Sequence, residues 1–292
     1  MNKNIYVSTG GFGAFTVEEA VNDLFKEGIS KIELSGGRCG CDTLKFLKRY
    51  KKMGCNFVLH NYFPAPIDDP FVLNLGSPNL SVRRKSRELV QSALIWSNEL
   101  ESNFYALHAP FRLDPSIENL GNGFPQSKLS GIEATLDIFY EEFLRLSDLG
   151  KRYGVEIAIE NNVLSLKDFN TFGYDNPFFF TGSDIDILSN YSNAEIHYLL
   201  DFGHLKVSAA SLDFDPHRVV DKIKEKIKWC HLSDNDGTKD SNCGFNQTAW
   251  FMDHIKTMNV PLTIEVYKQS AGSLRQIQND LAKLLFCDNY FQ

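Results

Sequence analysis

Four ionisable residues stand at the ends of four consecutive apolar segments in the second half of the chain: Glu160, Asp201, His231 and Glu265. A buried carboxylate is costly unless it is paired or bound to a metal. Three carboxylates and one imidazole suit a divalent cation, with Mn²⁺, Mg²⁺ or Co²⁺ favoured and Zn²⁺ as a further candidate. The alternative is four polar groups that are each satisfied separately, but their repetition in consecutive segments favours one metal site.

Three histidines accompany this set. His60 and His108 end two earlier apolar segments and are candidates for contact with a substrate. His204 follows Asp201 by three residues, where the chain must turn after the apolar segment. It can orient Asp201, bind a substrate or bind another metal, and the sequence leaves these roles open.

Segments rich in β-branched and aromatic residues predict eight buried strands, at residues 4–9, 31–35, 56–62, 104–110, 155–161, 196–202, 227–233 and 261–267. Amphipathic stretches lie between them and predict helices, for example at 16–28, 82–100, 130–154 and 273–286. This alternation predicts an α/β protein with a single (β/α)8 TIM barrel, forming one domain over residues 1–292. A doubly wound open sheet is the alternative, although such sheets normally have fewer strands.

In such a barrel the functional residues gather at the C-terminal ends of the strands, and side chains alternate between the interior and the helix layer. Each candidate shares its direction with the residue two positions earlier: Val58 with His60, Ala106 with His108, Ala158 with Glu160, Leu199 with Asp201, Trp229 with His231, and Thr263 with Glu265. We therefore expect all six candidates to point inward at the same end of the barrel.

Two predicted connections, residues 111–127 and 162–183, are too long for simple turns. Loops of this length in a compact domain are usually functional or mobile. The second contains six aromatic residues between Phe169 and Phe180, which fits either a lid over a ligand or a flap that packs on its own barrel.

The composition is that of an ordinary globular protein, with 43% hydrophobic and 23% charged residues and a formal net charge of −7. The negative charge disfavours a nucleic acid partner, although a local basic groove can coexist with it. The sequence shows no leader-like apolar start and no uncharged apolar stretch of about 18 residues. We therefore expect a cytoplasmic protein with no membrane partner.

Four motifs together resemble the xylose isomerase-like TIM-barrel superfamily: "AIEN" (158–161), "LLDFGH" (199–204), "CHLSDNDG" (230–237) and "TIEVY" (263–267). In the epimerase branch of that superfamily the matching residues bind one divalent metal, which implies this role for Glu160, Asp201, His231 and Glu265. The resemblance also implies that Glu160 and Glu265 are the catalytic pair on opposite faces of the substrate, with His204 beside it.

The function implied by the resemblance is a sugar or sugar phosphate isomerase or epimerase that acts on a small carbohydrate. Its chemistry is proton abstraction next to a carbonyl, through an enediolate. Many members of the superfamily form dimers or tetramers, so a homo-oligomer is a further expectation.

A second branch of the superfamily, endonuclease IV, is also similar. The stretch 59–111 resembles it, including two zinc-binding histidines that match His60 and His108. Asp240 matches a further ligand, but Asn242 stands where that enzyme has a histidine, which disfavours a third zinc site. The alternatives are therefore a zinc phosphodiesterase acting on abasic DNA, another lyase or dehydratase of this barrel, and a non-catalytic sugar-binding barrel.

Overall fold

A computed structural model describes residues 4–66, 69–120, 123–182, 184, 185, 188, 191 and 195–286. Its strands are β1 Ile5–Ser8, β2 Lys31–Leu34, β3 Asn56–His60, β4 Phe104–His108, β5 Glu156–Glu160, β6 His197–Asp201, β7 Ile227–Leu232 and β8 Leu262–Ile264. All pair in parallel with their neighbours in chain order, and β8 closes on β1. The predicted TIM barrel is confirmed, and the open-sheet alternative is wrong.

The α-helices of the described residues lie outside this barrel. They are α1 Val17–Lys26, α2 Thr43–Lys52, α3 Leu80–Glu99, α4 Ile132–Tyr153, α5 Leu166–Phe172, α6 Phe202–Leu212, α7 Pro216–Ile223, α8 Met252–Thr257 and α9 Ala271–Phe286. The start of α1 is fixed by a capping box, in which the Thr16 side chain accepts from the backbone of Glu19 and the Glu19 side chain accepts from that of Thr16. Within the described ranges, no helix combines the length and the hydropathy needed to cross a bilayer.

The barrel interior has its own apolar cluster, separate from the larger core between strands and helices. Its buried members are Val58, Phe104, Ala106, Ala158, Leu199 and Trp229, with Tyr6 packed against them. The Trp229 ring stacks on Phe104 at a centroid distance of 4.8 Å and lies 5.0 Å from Tyr6. The predicted alternation is therefore confirmed, since residues two positions before five of the candidates fill the interior beneath them.

Trp229 is the largest side chain of this interior cluster, so its loss is expected to be costly. We expect Trp229→Ala to lower the free energy of unfolding by about 3–5 kcal/mol, because a large cavity would remain between fixed strands. Urea denaturation followed by circular dichroism measures this. Trp229→Phe is the control, because it keeps a ring but loses the hydrogen bond from Nε1 to Thr263. A loss below about 1 kcal/mol in the alanine variant would show that the interior collapses readily.

The two long connections form a common wall rather than two separate loops. Arg112 donates through Nη1 to Asp175 Oδ1 (2.6 Å) and through Nε to the Ser130 carbonyl (2.8 Å), and Phe111 pairs with Phe178 in an antiparallel bridge. The second connection also contains helix α5. In its described part, the side chains of residues 178–180 are buried. Phe179 and Phe180 belong to the main core, whereas Phe178 packs with Phe111 and Leu164.

Candidate functional site

The four predicted ligands lie together at the C-terminal end of the barrel. Glu160 and Asp201 are the last residues of β5 and β6. His231 is the last residue but one of β7, and Glu265 directly follows β8. The strand register places Asp201 opposite His231. All four side chains are buried, and each offers one potential ligand atom within 4.8 Å of the others.

Asp201 serves both as a helix cap and as a member of this cluster. It is the N-cap of α6, and its Oδ1 accepts a hydrogen bond from the His204 backbone at 2.7 Å. Its Oδ2 is buried and has no hydrogen-bond partner. The tight turn between the two residues needs glycine, because a Cβ at Gly203 would lie 2.4 Å from the Ser233 hydroxyl.

His231 is held by a carboxylate that the sequence analysis did not single out. Glu33, on β2, accepts a hydrogen bond from His231 Nε2 at 2.8 Å and another from the Thr263 hydroxyl at 2.9 Å. Because a carboxylate only accepts, Nε2 carries a proton, and in the neutral ring the lone pair of Nδ1 would face the centre of the cluster. A carboxylate that orients a ligating histidine in this way is typical of metal sites.

Glu160 is contacted by two of the predicted histidines. Its Oε2 accepts a hydrogen bond from His60 Nε2 at 2.6 Å and lies 3.3 Å from His108 Nε2. The strand register pairs His108 with Glu160 directly. The other oxygen, Oε1, has no hydrogen-bond partner and lies 3.4 Å from His231 Nδ1.

Glu265 is positioned by Tyr267 and by the glycine pair that follows β1. The Tyr267 hydroxyl donates to Glu265 Oε1 at 3.2 Å. The tyrosine ring lies against Gly11, where a Cβ would approach its Cδ1 to 1.9 Å, so only glycine fits there. Oε2 of Glu265 lies 2.7 Å from His231 Nδ1, but the two atoms are not aligned for a hydrogen bond.

These residues fit a divalent cation. Three of the four ligand atoms, on Glu160, Asp201 and His231, are buried without a hydrogen-bond partner. Unpaired buried polar atoms are costly, and three of them in one cluster call for a common partner. Ligand distances of about 2.0–2.2 Å place neighbouring ligand atoms about 3–4 Å apart. His231 Nδ1 lies 3.4 Å from Glu160 Oε1 and 3.8 Å from Asp201 Oδ2, which matches this spacing, whereas Glu265 Oε2 is closer, at 2.7 Å.

The electrostatics of the metal-free cluster follow from its burial. Burial raises the pKa of Asp201, and the charges of Glu265 and Asp240 add to this, so that it reaches about 7 although His204 acts in the opposite direction. Burial alone would lower the pKa of His231, but the charges of Glu33 and Glu265 outweigh it and raise that pKa well above the ordinary value. Both groups therefore favour their protonated forms.

Cation binding at this site is expected to depend steeply on pH. Asp201 and His231 must lose their protons to act as ligands, so the apparent affinity should rise by about tenfold per pH unit for each proton released. Competitive titration with Mn²⁺ between about pH 5 and pH 8 measures this. In the absence of metal, neutral Asp201 stabilises the fold at low pH, and this contribution is lost as pH rises through about 7. Affinity that is constant over this range would contradict the assignment.

A second group of potential ligands adjoins the first. One atom each of His108, Glu160 and His204 lies within 4.8 Å of the others. His204 Nε2 also lies 3.3 Å from Asp240 Oδ2, which accepts a hydrogen bond from Asn242 Nδ2 at 2.9 Å. At position 242, where asparagine was predicted to disfavour a further zinc ion, the side-chain amide thus contacts Asp240.

Asn161 is a further residue that the sequence analysis did not assign. Its side chain accepts from the Asp201 backbone at 2.7 Å and donates to the Asp201 carbonyl at 3.0 Å, while its own carbonyl lies 2.9 Å from His204 Nδ1. It therefore fixes both Asp201 and His204 from the neighbouring strand. Its place directly after Glu160 in "AIEN" was the only signal in the sequence.

A cavity of about 920 Å³ opens above the cluster. Its polar lining includes the three predicted substrate-contact histidines and both predicted catalytic glutamates, namely His60, His108, His204, Glu160 and Glu265. Lys239 also lines it, whereas Lys206 is paired with Asp234 at 2.6 Å. The cavity therefore gives a small molecule access to the cluster.

Known structures share this fold at low sequence identity. A D-tagatose 3-epimerase-like protein matches with a TM-score of 0.72 and 15% identity, over 98% of this chain and 99% of that one. D-Psicose 3-epimerase from Clostridium cellulolyticum H10 matches with a TM-score of 0.63 and 12% identity, over 97% and 94% of the two chains. An AP endonuclease of family 2 from Brucella melitensis matches with a TM-score of 0.62 and 12% identity, over 93% and 96%.

The comparison with curated proteins finds no match to this chain. The family model described as "Xylose isomerase-like TIM barrel" matches residues 9–285, nearly the whole sequence. The resemblance seen in the four motifs is thereby confirmed over the full barrel. The chain belongs to the xylose isomerase-like TIM barrel family.

Proposed function

We propose that this protein is a divalent-metal-dependent isomerase or epimerase of a sugar or sugar phosphate. The observation that carries the proposal is the convergence of three unpaired buried ligand atoms and Glu265 next to an open cavity, which Glu160 and Glu265 line. Two of the structural neighbours are a D-psicose 3-epimerase and a D-tagatose 3-epimerase-like protein, which supports a carbohydrate substrate.

In this proposal Glu160, Asp201, His231 and Glu265 hold one cation, which is Mn²⁺, Mg²⁺, Co²⁺ or Zn²⁺. When bound, the cation supplies positive charge that polarises the substrate carbonyl and stabilises an enediolate. Glu33 holds His231 in the tautomer that keeps Nδ1 free. Asn161 and the cap of α6 hold the Asp201 carboxylate with one oxygen directed to the centre.

Glu160 and Glu265 carry out the proton transfers. They lie on β5 and just after β8, strands that are not neighbours, so they approach a bound sugar from different sides. One carboxylate takes the proton next to the carbonyl, and the C–H electron pair forms the double bond of the enediolate. Return of a proton by the other carboxylate inverts the carbon. Return by the same one to the adjacent carbon, with transfer of the hydroxyl proton between the two oxygens, exchanges aldose and ketose.

The predicted substrate-contact histidines differ in the contacts that they make within the protein. His60 is hydrogen-bonded to Glu160, so it contributes both to the cavity wall and to the orientation of that carboxylate. His108 is neutral over the physiological range, since burial lowers its pKa to about 4. His204 faces the cavity between Asn161 and Asp240. We propose that all three contact the sugar hydroxyls.

Metal content and proton exchange together test the proposal. Elemental analysis of the purified protein should find about one divalent ion per chain. Asp201→Asn should lose it, because the amide oxygen would stay on the His204 backbone N–H and the NH₂ group would face the centre. The metal-loaded protein in D₂O should then incorporate deuterium next to the carbonyl of at least one ketose from a panel of free and phosphorylated sugars, as seen by NMR. A protein that binds no metal under any loading condition, or that exchanges no hydrogen in any ketose, would contradict the proposal.

A second candidate function is supported by the adjoining group around His204. With His108, Glu160 and Asp240 it offers ligands for further cations, as a zinc phosphodiesterase requires. Two or three zinc ions per chain and cleavage of an abasic-site duplex would favour this function. The net charge of −7 and the amide at position 242 argue against it.

A further inference from the structure

The cavity above the cluster is larger than a free monosaccharide needs. Its volume of about 920 Å³ is near the upper end of the range of about 300–1,000 Å³ in which proteins enclose drug-sized ligands. A hexose is much smaller than such a ligand. The polar residues at the strand ends line only one part of this cavity. The side chains that line the other part indicate which kind of substituent the sugar has.

Loops that follow β3, β4 and β5 build the other part from apolar side chains. We call this part the apolar chamber, and it is lined by Phe71, Val72, Ile117, Leu120, Phe124 and Phe178. It is continuous with the polar end, because one cavity contains both sets of residues. A ligand held at the cluster can therefore extend into the chamber without leaving the protein.

The aromatic wall of the chamber is held in place by packing and hydrogen bonds. The rings of Phe124 and Phe178 meet at a centroid distance of 5.3 Å, and Phe178 meets Phe111 edge to face at 5.6 Å. The buried carboxylate of Asp168 accepts a hydrogen bond from the Phe124 backbone at 2.8 Å. The wall is therefore built before a ligand arrives, which favours binding of a rigid group.

Two further side chains of the chamber are largely exposed. Ile117 is 42% exposed and Leu120 is 48% exposed, although both line a cavity that also reaches the polar cluster. Apolar surface that is left open beside converging polar groups is typical of a ligand site. A sugar presents hydroxyl groups and would not cover these side chains well.

We propose that the substrate is a carbonyl sugar that carries an aromatic substituent, with the sugar at the cluster and the ring in the apolar chamber. The inference rests on the proposed function, since it is that function which places the carbonyl sugar. An aromatic group suits the chamber because it can meet Phe124 and Phe178 edge to face, as these rings meet each other.

A matched pair of ligands tests this inference. The phenyl and methyl β-glycosides of 3-keto-glucose present the same carbonyl and hydroxyl groups and differ only in the substituent. We expect the metal-loaded protein to bind the phenyl compound about 10- to 100-fold more tightly by isothermal titration calorimetry, because a ring is buried. Deuterium incorporation from D₂O into both compounds is measured in parallel by NMR.

Two variants locate the effect. Phe124→Ala should remove most of the preference for the phenyl compound over the methyl compound. Leu120→Asn should reduce the preference by a few fold, and it changes a half-exposed side chain that the fold does not need. Leu144→Asn is the matched control, because Leu144 is 44% exposed on α4 and does not line the cavity.

The outcomes separate the inference from the proposed function. Equal affinity for the two compounds, with deuterium exchange in both, would overturn the inference and leave the proposed function standing. A phenyl preference that Phe124→Ala removes would support the chamber even if neither compound exchanges, whereas absence of exchange in every ketose of the panel would contradict the proposed function alone. A preference that survives both chamber variants would overturn the inference, because the ring would then lie elsewhere.

Discussion

Replacement of Glu265 by glutamine is expected to lower the rate of carbon inversion by about 10²- to 10⁴-fold, the usual contribution of a general acid or base. The amide oxygen of glutamine can still serve as a ligand, so the metal content should change much less than turnover. The same loss is expected for Glu160→Gln. In each variant one of the two faces of the substrate has lost its proton carrier.

Deuterium exchange distinguishes the two carboxylates. Each epimer presents its C–H bond to one of them, so Glu265→Gln should stop exchange in one epimer and spare the other, and Glu160→Gln should show the opposite pattern. NMR of both epimers in D₂O measures this. Glu156→Gln is the control, because Glu156 begins β5, the strand that Glu160 ends, and lies away from the cluster. Equal loss in both epimers with metal retained would contradict the assignment of one carboxylate to each face.

Replacement of Glu33 by alanine is expected to weaken divalent metal binding by about 10- to 100-fold, although Glu33 lies outside the four-ligand cluster. Its carboxylate fixes the proton of His231 on Nε2 and therefore the direction of the Nδ1 lone pair. Glu33→Gln keeps an acceptor oxygen but loses the charge, so we expect it to recover part of the affinity. Competitive metal titration at fixed pH measures both variants.

A matched variant controls for packing around Glu33. Thr263→Val removes one hydrogen bond to the Glu33 carboxylate but keeps its contact with His231. We expect its metal affinity to fall by a few fold at most. If Glu33→Ala binds metal as the unchanged protein does, while its melting curve shows it folded, then His231 does not depend on this carboxylate for its orientation.

The barrel was predictable because its signals are local and repeated. Each strand is a short apolar run with its own flanking turn, and the described strand bounds differ from the predicted ones by a few residues at most. The inward direction of Glu160 follows from the two-residue period of β5, in which Ala158 faces the interior cluster. The convergence of the four candidate ligands then follows from closure of the barrel. Their roles as metal ligands and proton carriers remain predictions.

Glu33 and Asn161 were not predicted because their contacts are set by closure rather than by local sequence. Glu33 lies on β2 and meets His231 on β7, a separation of 198 residues along the chain. A carboxylate in the middle of "KIELS" gives no indication of which strand it will face. The alternation of side chains along β2 predicts that Glu33 points inward. Its contact with His231, however, depends on how the whole barrel curves and closes.

The two long connections show a different limit of prediction from the sequence. The six aromatic residues of 162–183 fitted a lid and a flap equally well, because composition does not fix which surface a loop packs on. The bridge between Phe111 and Phe178 and the ion pair of Arg112 with Asp175 join this connection to the one before it. Such pairing between two loops has no periodic pattern in the sequence, so the structure was needed to find it.

Asn242 has a backbone conformation that would also suit a histidine. Its backbone is left-handed, with a φ of 45°, a conformation that asparagine and histidine both adopt more readily than most residues. Asparagine and histidine codons differ by one nucleotide, so a single base change would place an imidazole beside Asp240. One substitution at position 242 would therefore enlarge the set of potential ligand side chains around His204 and Asp240 while leaving the strands of the barrel unchanged.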